Sequence, residues 1–116
     1  MIARPPYGTH VLAVFVALAA CCGGARAEDV FSASITIRAH RFEPPQLRVP
    51  AGKRILLTVI NADPLSEEFD SATLKVEKVI AGNSQAVVRV APLNPGTYEF
   101  VGEYHEETAK GRVIAE

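Results

Sequence analysis

One histidine near the C-terminus stands among carboxylates, in the run Glu103-Tyr104-His105-Glu106-Glu107. A second acidic run, Glu67-Glu68-Phe69-Asp70, lies well upstream. An imidazole with two or three carboxylates is a donor set for borderline or hard cations such as Fe(II), Fe(III), Cu(II), Mn(II) or Zn(II). Two readings of the histidine run stand open. It is a solvated, charged turn, or it is half of a cation site that the other acidic run completes if the two meet in space. His40 lies two positions before Phe42 and shares its strand face if the alternation continues, as a peripheral ligand or as a partly exposed structural histidine. His10 falls in the N-terminal leader. The chain shows no nucleophile–base pair, no phosphate-cradling glycine loop and no nucleotide fingerprint.

Charge is distributed unevenly. The 116 residues carry 12 basic and 13 acidic side chains, and every acidic one lies at or after Glu28. Arg38, Arg41, Arg48, Lys53 and Arg54 make the early part basic, whereas Asp63, Glu67, Glu68, Asp70 and Glu77 make the middle acidic. Nucleic acid calls for a continuous basic face, which this pattern lacks.

The N-terminus reads as an export signal. Arg4 precedes the uncharged apolar run Val11 to Ala20, and Ala25-Arg26-Ala27 fits a small-x-small cleavage site. The run is shorter than the about 20 residues that span a bilayer. Residues 1–27 are therefore expected to be a signal peptide and residues 28–116 a single domain. The alternative is a lipobox, Leu18-Ala19-Ala20-Cys21, which would lipidate Cys21 and tie the protein to a membrane. Both readings place the domain in the periplasm. Both cysteines, Cys21 and Cys22, lie in the leader, so the domain has neither disulfide nor thiolate.

Beyond the leader the chain alternates in the manner of short strands. Ile35 and Ile37 alternate with Ser34, Thr36 and Arg38, and Gln46 to Val49 does likewise. Arg54 to Ile60 is nearly continuous aliphatic sequence, suited to a central strand. Further strands are expected over 68–71, 75–80, 85–91, 98–101 and 112–115, with a turn at 81–84. No amphipathic helix is evident. Glu77 alternates with Val76 and Lys78 and is expected to pair with an arginine. Pro95-Gly96 predicts a type II turn, and Tyr98 two residues on fits a tyrosine corner. Phe42 and Phe100 read as core. The pattern predicts an all-β Greek-key sandwich of seven or eight strands.

The ordered set Phe42 to Lys53, Val59-Ile60-Asn61-Ala62-Asp63, Glu68-Phe69, Leu93 to Phe100 and Gly111 to Ile114 resembles the cupredoxin family. In copper-carrying members one late loop supplies Cys, His and often Met, and an earlier loop before a Phe supplies another His. By that resemblance Gly102 stands at the Cys position, His105 at the His and Ala109-Lys110 at the Met region. A glutamate, Glu67 or Glu68, stands at the earlier His. A blue-copper centre, which needs the thiolate, is thus not expected.

The chain resembles the cupredoxin-like domains of bacterial Ftr-type and EfeO-type iron-uptake systems. Glu68 to Ser71, Val76 to Val79 and Gly102 to His105 are similar to the Ftr-type component. Of the EfeO-type ligands only a glutamate at Glu68 carries over, the cysteines at the places of Phe42 and Gly102 being absent. That resemblance implies that the two acidic loops open at one end of the sandwich and form a metal site from Glu68, His105, Glu103 and Glu67, with Glu106 beside them. It implies an iron or copper ion as the bound species. As partners it implies an inner-membrane iron permease, a periplasmic iron- and copper-binding protein and a ferredoxin-like membrane component. A copper-dependent ferroxidase and a metal-free interaction module are the alternatives.

Overall fold

The computed structural model describes residues 29–116; the expected signal peptide and the lipobox at Cys21 lie outside the described residues. Nine strands follow in chain order: β1 (Val30–Arg38), β2 (Arg41–Glu43), β3 (Gln46–Val49), β4 (Arg54–Asn61), β5 (Glu67–Ser71), β6 (Val76–Ile80), β7 (Ser84–Val90), β8 (Gly96–Gly102) and β9 (Lys110–Ala115). A 3₁₀ turn, Glu103–His105, separates the last two. The strands form a four-stranded sheet ordered β2-β1-β4-β7 and a five-stranded sheet ordered β3-β9-β8-β5-β6. Each sheet holds one parallel pair, β1 with β4 and β3 with β9, among antiparallel neighbours.

Alternation decides which side chains face the interior. In β4, Ile55, Leu57, Val59 and Asn61 are buried while Leu56, Thr58 and Ile60 are half-buried on the outer face. Phe42, Phe69 and Phe100 meet between the sheets. Phe42 packs edge-on against Phe100 at 4.9 Å between centroids and 88° between planes, a preferred aromatic geometry. Burial of each ring stabilises the fold by about 2–3 kcal/mol. The Tyr98 hydroxyl donates to the carbonyl of Asn94 at 2.7 Å, the expected tyrosine corner.

The expected single strand through His40 is a hairpin instead. β1 ends at Arg38, β2 begins at Arg41, and Arg38 pairs with Arg41 across a two-residue turn. Ala39 and His40 take φ of 55° and 57°, the left-handed pair of a type I′ turn. His40 therefore does not share the strand face of Phe42; it sits at the hairpin tip, which adds a ninth strand to the seven or eight expected.

Three connections converge at one end of the sandwich: this hairpin tip, the β4–β5 loop and the β8–β9 loop. The Ala62 amide donates to the Ile37 carbonyl at 2.8 Å, and the Gly102 amide to that of Ala109 at 2.8 Å. Buried Asn61 braces the β4–β5 loop, donating from Nδ2 to the carbonyls of Leu65 (2.8 Å) and Ile80 (3.1 Å) and accepting the Asp63 amide at 3.0 Å.

Candidate metal centre

Glu67 is the first residue of β5, and the strand's alternation turns it inward, leaving its side chain 2 % exposed. A carboxylate buried so far is costly unless its oxygens are satisfied. Here they are. Oε1 accepts the amides of Glu68 (3.0 Å) and Tyr104 (2.8 Å), and Oε2 lies 2.7 Å from Nδ1 of His105. The 3₁₀ turn places that imidazole, and the His105 carbonyl closes the loop by accepting the Ala109 amide at 2.8 Å. The carboxylate on Nδ1 fixes the orientation of the ring.

His40 completes the cluster. Its ring lies on that of His105 with centroids 3.6 Å apart and planes 13° from parallel. Asp63 anchors its turn: Oδ1 accepts the Ala39 amide at 2.7 Å and Oδ2 the His40 amide at 2.9 Å. Burial opposes ionisation of Asp63, but those two amides and the neighbouring imidazoles outweigh it and hold its carboxyl below the usual range. One ligand atom each from His40, Glu67 and His105 lies within 4.8 Å of the others. Beside them opens a depression of about 590 Å³, lined by His40, Glu103 to Glu107 and Thr108.

The sequence-predicted residues thus fall into two groups. Glu67 and His105 are joined. Glu68 points to the opposite face of β5, as adjacent strand residues must, and meets Glu77 and Glu103 there. Partial burial and the carboxylates of Glu103 and Glu77 push the carboxyl of Glu68 up to about 7. Glu77 faces these like charges and has no arginine partner among the described residues, contrary to the expected ion pair. Its β5 neighbour, Asp70, carries the same sign, so no cation comes to it from across the strand. Glu106 and Glu107 line the depression without entering either group. Asp63 and the central position of His40 were missed. The Asn61-Ala62-Asp63 turn residues were the available signal for Asp63.

A model of the cupredoxin-like domain matches residues 11–115. The chain belongs to the cupredoxin-like domain family. Amicyanin-alpha of Methylorubrum extorquens is 31% identical over 112 residues, covering 90% of this chain and 92% of that one. The protein RP394 of Rickettsia prowazekii is 38% identical over 87 residues, 75% of this chain and 70% of its own length. Among solved structures, the metal-binding domain of the Streptococcus pneumoniae Cu(I)-exporting P-type ATPase CopA superposes with a TM-score of 0.65 at 19% identity, over 79% of this chain and 91% of that one. The last likeness establishes the fold alone.

A blue-copper centre does not fit this cupredoxin-like domain. A thiolate side chain at Gly102 would begin with a Cβ only 2.8 Å from Cδ of Glu67, 2.9 Å from its Oε2 and 2.8 Å from the Ala109 Cβ. The Glu67 carboxylate fills the space that such a side chain needs. The donors present are nitrogen and oxygen, a set that fits borderline or hard cations and not soft ones.

Proposed function

We propose that this cupredoxin-like domain is an exported cation-binding protein of bacterial iron acquisition. Its cargo, Fe(II) or Cu(II), is held through Glu67 and His105. The observation that carries the reading is the buried Glu67 carboxylate on Nδ1 of His105, with Gly102 leaving it room. A carboxylate and an imidazole select oxygen- and nitrogen-seeking ions, and their affinity falls as protons compete for the same atoms. The similarity of Glu68 to Ser71 and Gly102 to His105 to the Ftr-type iron-uptake component supports iron as the biological context. In that context the protein hands its ion to, or readies it for oxidation at, an inner-membrane iron permease. A periplasmic iron- and copper-binding protein and a ferredoxin-like membrane component are the accompanying partners, and the signal at residues 1–27 supplies the periplasmic address.

Titration of the purified protein with Fe(II), Cu(II) and Zn(II) by calorimetry, beside Glu67→Gln and His105→Ala, tests the reading. Saturable binding by the wild type that both variants lose supports it; equal binding by all three proteins removes the assigned site.

One observation favours a second reading, a metal-free interaction module. Both oxygens of Glu67 already have protein partners, as in a purely structural strut. In that case the same titration yields no heat with the wild type, and partner capture persists in chelator.

A further inference from the structure

We infer that His40 is a third donor of this centre, making it a two-histidine, one-carboxylate site for Fe(II)-class ions, with the Ala39–His40 turn serving as a ligand arm. The inference rests on the cation-binding reading above and adds a residue and a class of ion to it.

Backbone strain marks the turn. Type I′ turns favour Asn-Gly and similar pairs because both central residues need positive φ. Here Ala39 and His40 occupy those positions, at 55° and 57°. Alanine is not among the residues that reach this region easily, and histidine, though enriched there, reaches it less readily than glycine. Such strain persists only where the surroundings over-determine it. They do so here from three sides. Asp63 accepts both turn amides, Thr108 Oγ1 donates to the His40 carbonyl at 2.6 Å, and the ring stacks on His105. The outcome of all three is the placement of one imidazole beside Glu67 and His105.

The donor set is then two imidazoles and one carboxylate with no sulfur. Those ligands, with positions left open, suit non-haem Fe(II) and Zn(II), whereas Cu(I) prefers thiolate and thioether. The rings now lie parallel, so the lone pairs of one run alongside those of the other and cannot converge on one ion. One ring has to turn. His40 is the freer of the two: its side chain is 41 % exposed against 28 % for His105, and its Nδ1 lies 3.5 Å from Asp63 where His105 lies 2.7 Å from Glu67. Loading therefore swings the His40 imidazole off its neighbour while Asp63 keeps the backbone of the arm in place.

The test uses the full chain with Zn(II), Co(II), Fe(II) and Cu(I) as probes, comparing wild type, His40→Asn and His105→Ala. Asparagine tolerates positive φ, so His40→Asn keeps the turn and removes only the ring. Expected are a thermal midpoint for His40→Asn at or above the wild type and an Fe(II), Zn(II) and Co(II) affinity reduced by more than the roughly 10- to 100-fold that loss of an orienting partner costs. Proton NMR of wild type should show the stacked-ring shifts of His40 disappearing on Zn(II) addition. Wild-type affinity in His40→Asn, with binding lost in His105→Ala, overturns the third donor and leaves the Glu67–His105 reading standing. No binding by wild type overturns both, and preference for Cu(I) overturns the ion class.

Discussion

The Glu67 carboxylate reaches 2.7 Å from Nδ1 of His105, from a position that is 2 % exposed, across a gap that a side chain at residue 102 would fill. This contact ties β5 to the β8–β9 loop and sets the chemistry of the site. An anionic oxygen occupies the space that any side chain at residue 102 would need.

Removing the carboxylate should therefore destabilise the domain as well as the site. Glu67→Ala strands the amides of Glu68 and Tyr104 and deprives His105 of its partner, a loss of about 3 kcal/mol. Urea denaturation of the metal-free protein measures it. A loss below about 1 kcal/mol would mean that water replaces the carboxylate freely.

Much of this frame was legible beforehand. The period-2 runs at Ile35 and Ile37, the aliphatic stretch from Arg54 to Ile60 and the Tyr98 corner each report a local preference that the fold keeps, whereas Gly96, expected in a type II turn, is the first residue of β8. The site was harder to read because its geometry depends on a one-residue phase. Glu67 and Glu68 are chemically identical, and only the start of β5 at Glu67 sends the first inward and the second outward. His40 was obscured because nothing in Ala39-His40 advertises positive φ; long-range anchoring by Asp63 and Thr108 imposes the turn against local preference. Glu77 failed to find its arginine because register sets it opposite Asp70 and beside Glu68.

Gly102 should resist substitution. Gly102→Ala drives a Cβ against Glu67 and Ala109 and should cost about 1–3 kcal/mol. Gly102→Cys loaded with Cu(II) should show no intense thiolate charge-transfer band, because Glu67 occupies the approach to the sulfur. The band should become accessible only when Glu67 is also shortened. A strong band in the single variant would show that the loop moves aside readily.

Stability of the metal-free protein should depend on pH through two carboxyls of opposite tendency. Glu68 has a folded pKa raised from 4.5 to about 7. Its contribution is fully present below 4.5 and is lost as pH rises through 7. Glu68→Gln should flatten the decline in denaturation midpoint over that window. Asp63 is lowered from its ordinary 3.8, so its contribution is present above that value and is lost as pH falls through the lower folded one. Asp63→Asn should remove that acid-limb dependence, and an unchanged acid limb would contradict the role given to its two amide bonds.

The hairpin tip offers a stabilising change. Ala39 is exposed and held at φ 55°, a conformation that asparagine enters more easily. Ala39→Asn should raise stability by up to about 1 kcal/mol while leaving the imidazoles in place. Thermal denaturation checks this, and a fall in midpoint would show that the methyl group makes a contact the turn needs.

The most direct measurement is a crystal structure of the protein soaked in Zn(II) or Fe(II), with anomalous differences collected across the metal edge. The account predicts a single strong peak bonded to Glu67 Oε2 and His105, with the His40 ring turned toward it. A peak lodged among Glu68, Glu77 and Glu103 on the outer face, or none at Glu67, would contradict it.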